Sequence, residues 1–204
     1  MQLKIKTLCK RHLQNNFVLY FILVIALVIG IIIGAILANR LESDKGIEVA
    51  NYMNVFLKHI NEGNYYFKDI FISSLFLNLK KIFIIWLFGL LGLGLIVIPL
   101  IMCWNGINIG FIVGFLVKGY GLKGFIFTLI GLLPQYLIVL PSLLAITALA
   151  LSNANNRKKL RRDRDYIKKF ADYSILILVF FVILVFGCII EGFYTPYFIK
   201  FMGV

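Results

Sequence analysis

Glu191 is the ionisable residue whose position in the sequence most invites a chemical role. It directly follows a long apolar run. A carboxylate inside a membrane helix is a functional candidate, for example in proton transfer. The neighbouring Gly192 and Tyr194 instead favour the outer membrane interface, where the carboxylate would accept backbone hydrogen bonds or pair with an external lysine. We expect this structural or partner-binding role rather than proton transfer.

Two amides, Asn105 and Asn108, stand between two apolar runs. An unpaired amide at membrane depth is costly, so each needs a partner or a watery turn. One hypothesis is a substrate or ion site at a broken helix. The other, which we favour, is a tight turn between two helices whose ends the amides cap.

Catalytic patterns are absent from the sequence. It holds no His-Glu metal pair, no Gly-x-Ser-x-Gly elbow, no phosphate loop and no paired carboxylates. His12 and His59 are isolated in polar segments, where we interpret them as surface residues. The sequence therefore predicts a protein that is not an enzyme and has no cofactor and no metal site.

The elements that carry these residues are membrane helices. Hydrophobic residues make up 61% of the 204 residues and charged residues 15%, and the mean hydropathy is +0.95, which leaves too little polar surface for a water-soluble globule. The apolar residues form runs of about 20, the length a membrane-crossing helix needs. The net charge of +12 sits in clusters beside these runs, which indicates membrane topology and not nucleic-acid binding.

We predict an all-α bundle that forms a single membrane domain over residues 1–204. The five spans are expected at about 17–38, 82–103, 105–118, 124–151 and 173–191. The first run is too long for a signal peptide and is interpreted as a retained anchor. The third is short, so a re-entrant hairpin is the alternative to a crossing. The fourth contains Pro134 and Pro141, which predict a kinked or broken helix.

Orientation follows from the positive charges. Eight lysines and arginines lie in the expected loop 152–172, and basic residues also precede the first span. Because cytoplasmic loops are enriched in Lys and Arg, both segments are expected inside, which requires five crossings. The N-terminus is then cytoplasmic, the C-terminus extracytoplasmic, and the amphipathic segment 39–81 lies outside.

Small residues recur at every fourth position in two of the runs. The first run carries Ala26, Gly30, Gly34 and Ala38, and the third carries Gly106, Gly110 and Gly114. Such ridges let helices approach closely in lipid. We favour packing within one chain, with a homodimer as the alternative.

Four stretches of sequence resemble the stage II sporulation protein M family. FLNLKK contains Asn78, and WNGINIGFIVG contains Asn105, Gly106 and Gly110. LPQYLIVLPS is similar to a family pattern of two prolines seven residues apart, met by Pro134 and Pro141. EGFYTPYF matches the family ending at Glu191, Thr195 and Pro196.

The sequence departs from the family pattern in the fourth run. Where the family often has His-Gly after the first proline and Glu before the second, this chain has Gln135, Tyr136 and Val139. A role that needs an ionisable pair inside this span is therefore not expected.

The resemblance implies a membrane scaffold in the engulfment machinery of a sporulating bacterium, located in the cell membrane at the septum and in the engulfing membrane. Its partners would be the lipid bilayer and the sporulation proteins D and P, which cleave peptidoglycan. We expect aromatic residues of the external segment to contact these hydrolases; the candidates are Tyr52, Phe56, Tyr65, Tyr66 and Phe67. The alternative function is a small-solute or ion transporter or channel, for which Asn105 and Gln135 are the polar candidates.

Overall fold

The computed structural model describes residues 16–41, 51, 67–156 and 166–202, and within them the fold is all-α. Helix α1 is Phe17–Asn39 and α2 is Phe67–Leu90. The helical stretch Gly94–Asn155 is divided at Gly121, and we call residues 94–120 α3 and residues 122–155 α4. Helix α5 is Tyr166–Met202.

Five segments of these helices are long and apolar enough to cross a membrane, as predicted. They are Phe17–Asn39, Ile70–Leu90, Gly94–Leu122, Pro134–Asn155 and Phe170–Tyr194. The third segment has 29 residues, a length that suits a full crossing and not a re-entrant hairpin.

Two breaks separate α2, α3 and α4. Residues 91–93 form a tight turn, in which the Gly94 nitrogen donates to the Leu91 oxygen at 3.0 Å. Gly121 has φ 59° and ψ −136°, a conformation essentially restricted to glycine. The helical backbone continues through Pro134 and Pro141, so α4 is not broken at either proline.

The second and third helices do not match the expected bounds of 82–103 and 105–118. The turn at 91–93 lies inside the expected second span, and residues 70–81, expected in an external amphipathic segment, belong to α2. Ser74, Asn78 and Lys81 made this stretch look too polar to cross a membrane. Their side chains face the interior of the bundle, where other helices supply polar partners.

The two ridges of small residues face each other between α1 and α3. A Cβ added to Gly34 would lie 2.2 Å from the carbonyl oxygen of Ile107, and one added to Gly110 would lie 2.1 Å from that of Ile31. Ala38 is fully buried in the same interface and lies next to Gly114. The ridges thus pack within one chain, which fits the interpretation we favoured over a homodimer.

Neighbouring helices in the chain run in opposite directions. The contacts that fix these directions are Gly30 with Cys103, Gly114 with Ala38, Lys81 with Asn105, Asn153 with Gly89, Gly187 with Val139 and Tyr173 with Trp86. They make α1, α3 and α5 parallel to one another and antiparallel to α2 and α4. The buried core lies around α4, whose span is 61% buried, against 22 to 28% for the other four.

One end of the bundle leads into both basic segments. Ser152, near the end of α4, donates to the Asn16 side chain at 3.0 Å, directly before α1. Asn153 donates to the Gly89 carbonyl beside the turn 91–93. We call this end the basic end, because the sequence continues from it into residues 1–15 and 157–165, and we call the opposite end the far end.

Candidate functional site

A polar cavity of about 690 Å³ lies among α2, α3, α4 and α5. Nine of its lining residues are polar or charged: Ser73, Ser74, Asn78, Lys81, Asn105, Asn108, Gln135, Tyr136 and Glu191. Most of the other polar groups with buried side chains are hydroxyls that bond to the preceding turn of their own helix. The cavity is therefore where the described helices concentrate groups that can recognise a polar partner.

The cavity extends from near the far end of the bundle to about its middle. Ser74 is four residues from the start of the segment Ile70–Leu90, and Glu191 is three residues from the end of Phe170–Tyr194. At 1.5 Å per residue, both are about 5 Å inside the far end, and Lys81 is about 16 Å inside it. The site thus extends from near the interface into the hydrocarbon region.

Glu191 forms the shallow end of the site together with α2. The Ser74 hydroxyl donates a hydrogen bond to a Glu191 carboxylate oxygen. The Asn78 amide donates to the Ser74 carbonyl at 3.0 Å and approaches Cys188 Sγ at 3.5 Å. Glu191 lies close to the far end of its segment, but its observed partner is neither a backbone donor nor an external lysine.

Lys81 and Asn105 form the deep end. The Lys81 ammonium donates to Asn105 Oδ1 at 3.0 Å, and the Asn105 amide nitrogen donates to the Ile101 carbonyl at 2.8 Å. Asn105 lies inside the continuous helix α3, so it is neither at a turn between helices nor at a broken helix. Both hypotheses placed it wrongly because they assigned the break to residues 104–106 instead of 91–93.

Gln135 lies on the wall formed by α4. Its side chain is only 7% exposed, and its Oε1 atom has no hydrogen-bond partner among the described residues. A buried carbonyl oxygen without a donor costs about 1 to 3 kcal/mol. An N–H or O–H donor entering the cavity would remove that cost.

Only some of the residues identified as candidates in the sequence line the cavity. Asn78, Asn105 and Glu191 line it, as do Gln135, Tyr136 and Val139, the positions that depart from the family pattern. Pro134 precedes these on α4 and Pro141 follows them. Gly106, Gly110 and Gly114 pack against α1 instead. Thr195 and Pro196 belong to α5.

The proposed partner contacts lie largely beyond the part of the chain that the structure describes. Tyr52, Phe56, Tyr65 and Tyr66 fall outside it, and of Phe67 only the backbone, at the start of α2, is described. Those contacts remain predictions. Within the described residues, no three His, Cys, Asp or Glu side chains come together as metal ligands would.

Sequence reasoning missed Ser74 and Lys81 as site residues. Ser74, Asn78 and Lys81 are spaced by four and three residues, which puts them on one face of a helix. That spacing could have identified the polar stripe, but the stretch was assigned to the amphipathic segment 39–81 outside the membrane.

Comparison with known proteins identifies a similar family. The family model for Stage II sporulation protein M matches residues 22–196, a range that includes every residue lining the cavity. No curated protein and no solved structure matches the chain.

Proposed function

The chain belongs to the stage II sporulation protein M family, and from this premise we propose that it is a non-enzymatic membrane scaffold of the sporulation engulfment machinery. In this role it anchors and localises peptidoglycan hydrolases, the sporulation proteins D and P, at the septum. The observation that carries the proposal is the family match across most of the chain, from α1 to α5.

The arrangement of the helices supports this role. Helix α1 ends and α2 begins at the far end, so the connection between them starts and finishes there. Since the basic segments continue from the opposite end, the positive-inside rule assigns the far end to the outside. Residues 42–66 then lie on the side of the membrane where enzymes act on the cell wall.

Deletion of the gene in its host tests the scaffold role. We expect septation to occur, engulfment to stop after it, and the two hydrolases to lose their septal localisation in fluorescence microscopy. Restoring the gene at a second locus is the control. Normal engulfment in a clean deletion would refute the proposal.

A second function, small-solute or ion transport, is favoured by one observation, the polar cavity at membrane depth. Its test is a flux assay with purified protein in liposomes. Solute or ion flux that falls when Gln135 or Asn105 is replaced would support transport, and flux equal to that of empty liposomes would count against it.

A further inference from the structure

The cavity holds two opposite charges that do not pair with each other. Among the described residues, Lys81 donates to Asn105, whereas Glu191 accepts from Ser74. Both charged groups line the same volume, and each lies in a membrane-crossing segment. A charge at this depth is costly unless it is paired. A ligand that pairs with both groups would therefore stabilise them.

Three groups around the cavity have unused hydrogen-bonding capacity. The Lys81 ammonium has three N–H donors, of which one bonds to Asn105 in the described structure. Glu191 uses one carboxylate oxygen to accept from Ser74. Gln135 Oε1 is buried without a donor. The site can thus offer N–H groups at one place and oxygen acceptors at two others.

These groups discriminate between classes of ligand. An anion would pair with Lys81 but would supply no hydrogen-bond donor to Glu191 or to the Gln135 oxygen. A cation would satisfy Glu191 but not Lys81, and an apolar molecule would satisfy none of the three. A ligand that combines an oxyanion with an N–H-bearing cation matches all three groups.

We propose that this cavity binds a zwitterion with a primary ammonium group and an oxyanion, the chemistry of an ethanolamine phosphate headgroup. The oxyanion lies against Lys81, and the ammonium group donates to Glu191 and to Gln135 Oε1. The inference is independent of the scaffold role and requires no transport.

The position of the cavity indicates how such a group reaches it. Leu77 and Asn108 line it and are exposed on the described surface of α2 and α3. Apolar side chains of Ile70, Ile109 and Leu140 lie among the polar ones. A phospholipid headgroup can enter from the bilayer at this opening, about 5 to 16 Å below the far end. A free zwitterion of the same chemistry would come from the aqueous phase.

Lipid competition tests the proposal. Purified full-length protein in detergent is equilibrated with equal amounts of phosphatidylethanolamine and phosphatidylcholine that carry the same acyl chains, and the bound lipid is identified by native mass spectrometry. Both headgroups are zwitterions, but choline has no N–H donor. We expect phosphatidylethanolamine to be retained about tenfold better, the ratio expected for one hydrogen bond to a charged group. Equal retention of the two lipids would overturn the proposal.

Substitutions separate the three contacts. Gln135→Leu removes the acceptor and should reduce the preference for ethanolamine over choline. Lys81→Gln and Glu191→Gln should each lower the retention of both lipids, because both headgroups carry the same charges. Lys80→Gln is the matched control, since Lys80 is exposed and does not line this cavity, and it should behave as the unaltered protein. If all three cavity variants also behave as the unaltered protein, the assignment is wrong.

Two further arms complete the test. Gln135→Glu keeps an acceptor and should keep the preference for ethanolamine even if Gln135→Leu fails to fold. Loss of the preference in Gln135→Glu contradicts the proposal.

Free glycerophosphoethanolamine distinguishes the two sources of the ligand. Displacement of the bound lipid by it supports recognition of the headgroup alone, and retention of the lipid against it supports a ligand taken from the bilayer.

Discussion

Gly30 of α1 and Gly106 of α3 lie in direct backbone contact. A Cβ built on Gly30 would be 3.0 Å from the Gly106 Cα and 2.1 Å from the carbonyl oxygen of Cys103. The helices are therefore closer than any larger side chain would allow. Because helices in lipid gain no hydrophobic driving force from meeting, this close packing is a main source of their association.

Gly106→Ala should destabilise the protein. The added Cβ would lie 2.2 Å from the carbonyl oxygen of Leu27, a backbone atom that moves only if α1 and α3 separate. We expect a loss of about 1 to 3 kcal/mol in the free energy of unfolding, the usual cost of overpacking. Thermal or denaturant unfolding in detergent measures it. Gly106→Ala with unchanged stability would contradict the described α1 and α3 contact.

Gly121→Ala tests the turn between α3 and α4. No atom lies within 4 Å of a Cβ at Gly121, so any cost comes from its φ of 59°. We expect a loss of about 1 to 3 kcal/mol. Gly119→Ala is the matched control for both glycine variants, since it also meets no atom within 4 Å and has no positive φ. Unfolding curves should show Gly119→Ala to be at least as stable as the unaltered protein. Equal losses of stability at positions 119 and 121 would refute the conformational explanation.

The contact faces of α1 and α3 could be predicted, because each face depends on residues close together in sequence. A glycine or alanine at every fourth position marks one face of a helix wherever the partner lies. Two such faces, at Gly30 and Gly34 and at Gly106 and Gly110, meet in the structure. The number of membrane-crossing helices could be predicted for a similar reason, since the length of an apolar run is a local property.

The cavity could not be predicted, because its parts are distant in sequence. Ser74 and Glu191 are 117 residues apart, and only the fold joins them. Without that knowledge, Ser74, Asn78 and Lys81 indicate a surface helix, and the bounds of α2 and α3 are misplaced accordingly. The unpaired oxygen of Gln135 is likewise a property of the assembled helices.

Cross-linking can test whether the start of α1 lies close to the end of α4, the two helix ends that lead into basic segments. Asn16→Cys and Ser152→Cys are combined in a chain whose native cysteines are replaced by alanine. Because the native side chains are 3.0 Å apart, we expect an intramolecular cross-link with a mild oxidant, visible as a mobility change in non-reducing electrophoresis. Asn16→Cys paired with Gly119→Cys, at the far end of α3, should not react. A cross-link between positions 16 and 119, with none between positions 16 and 152, would contradict the helix directions.

The predicted partner contacts can be tested by their effect on co-purification. Alanine at Tyr52, Phe56 and Tyr65 together should reduce recovery of the hydrolases from sporulating cells in mild detergent by about tenfold or more, since aromatic anchors often contribute over 1 kcal/mol each. Mass spectrometry quantifies the recovered partners. Asn51→Ala, at an exposed neighbouring position, is the control. Undiminished recovery with the triple variant would remove these residues as the docking surface.

The most direct measurement of the whole account is cysteine labelling of intact cells and of opened cells with a membrane-impermeant reagent. Single cysteines are placed at Gln2, Asn51 and Gly203 in the cysteine-free chain. Five alternating helices predict that positions 51 and 203 react in intact cells and that position 2 reacts only after the cells are opened. Labelling of positions 2 and 203 from the same side would contradict the five-crossing bundle and, with it, the external docking segment.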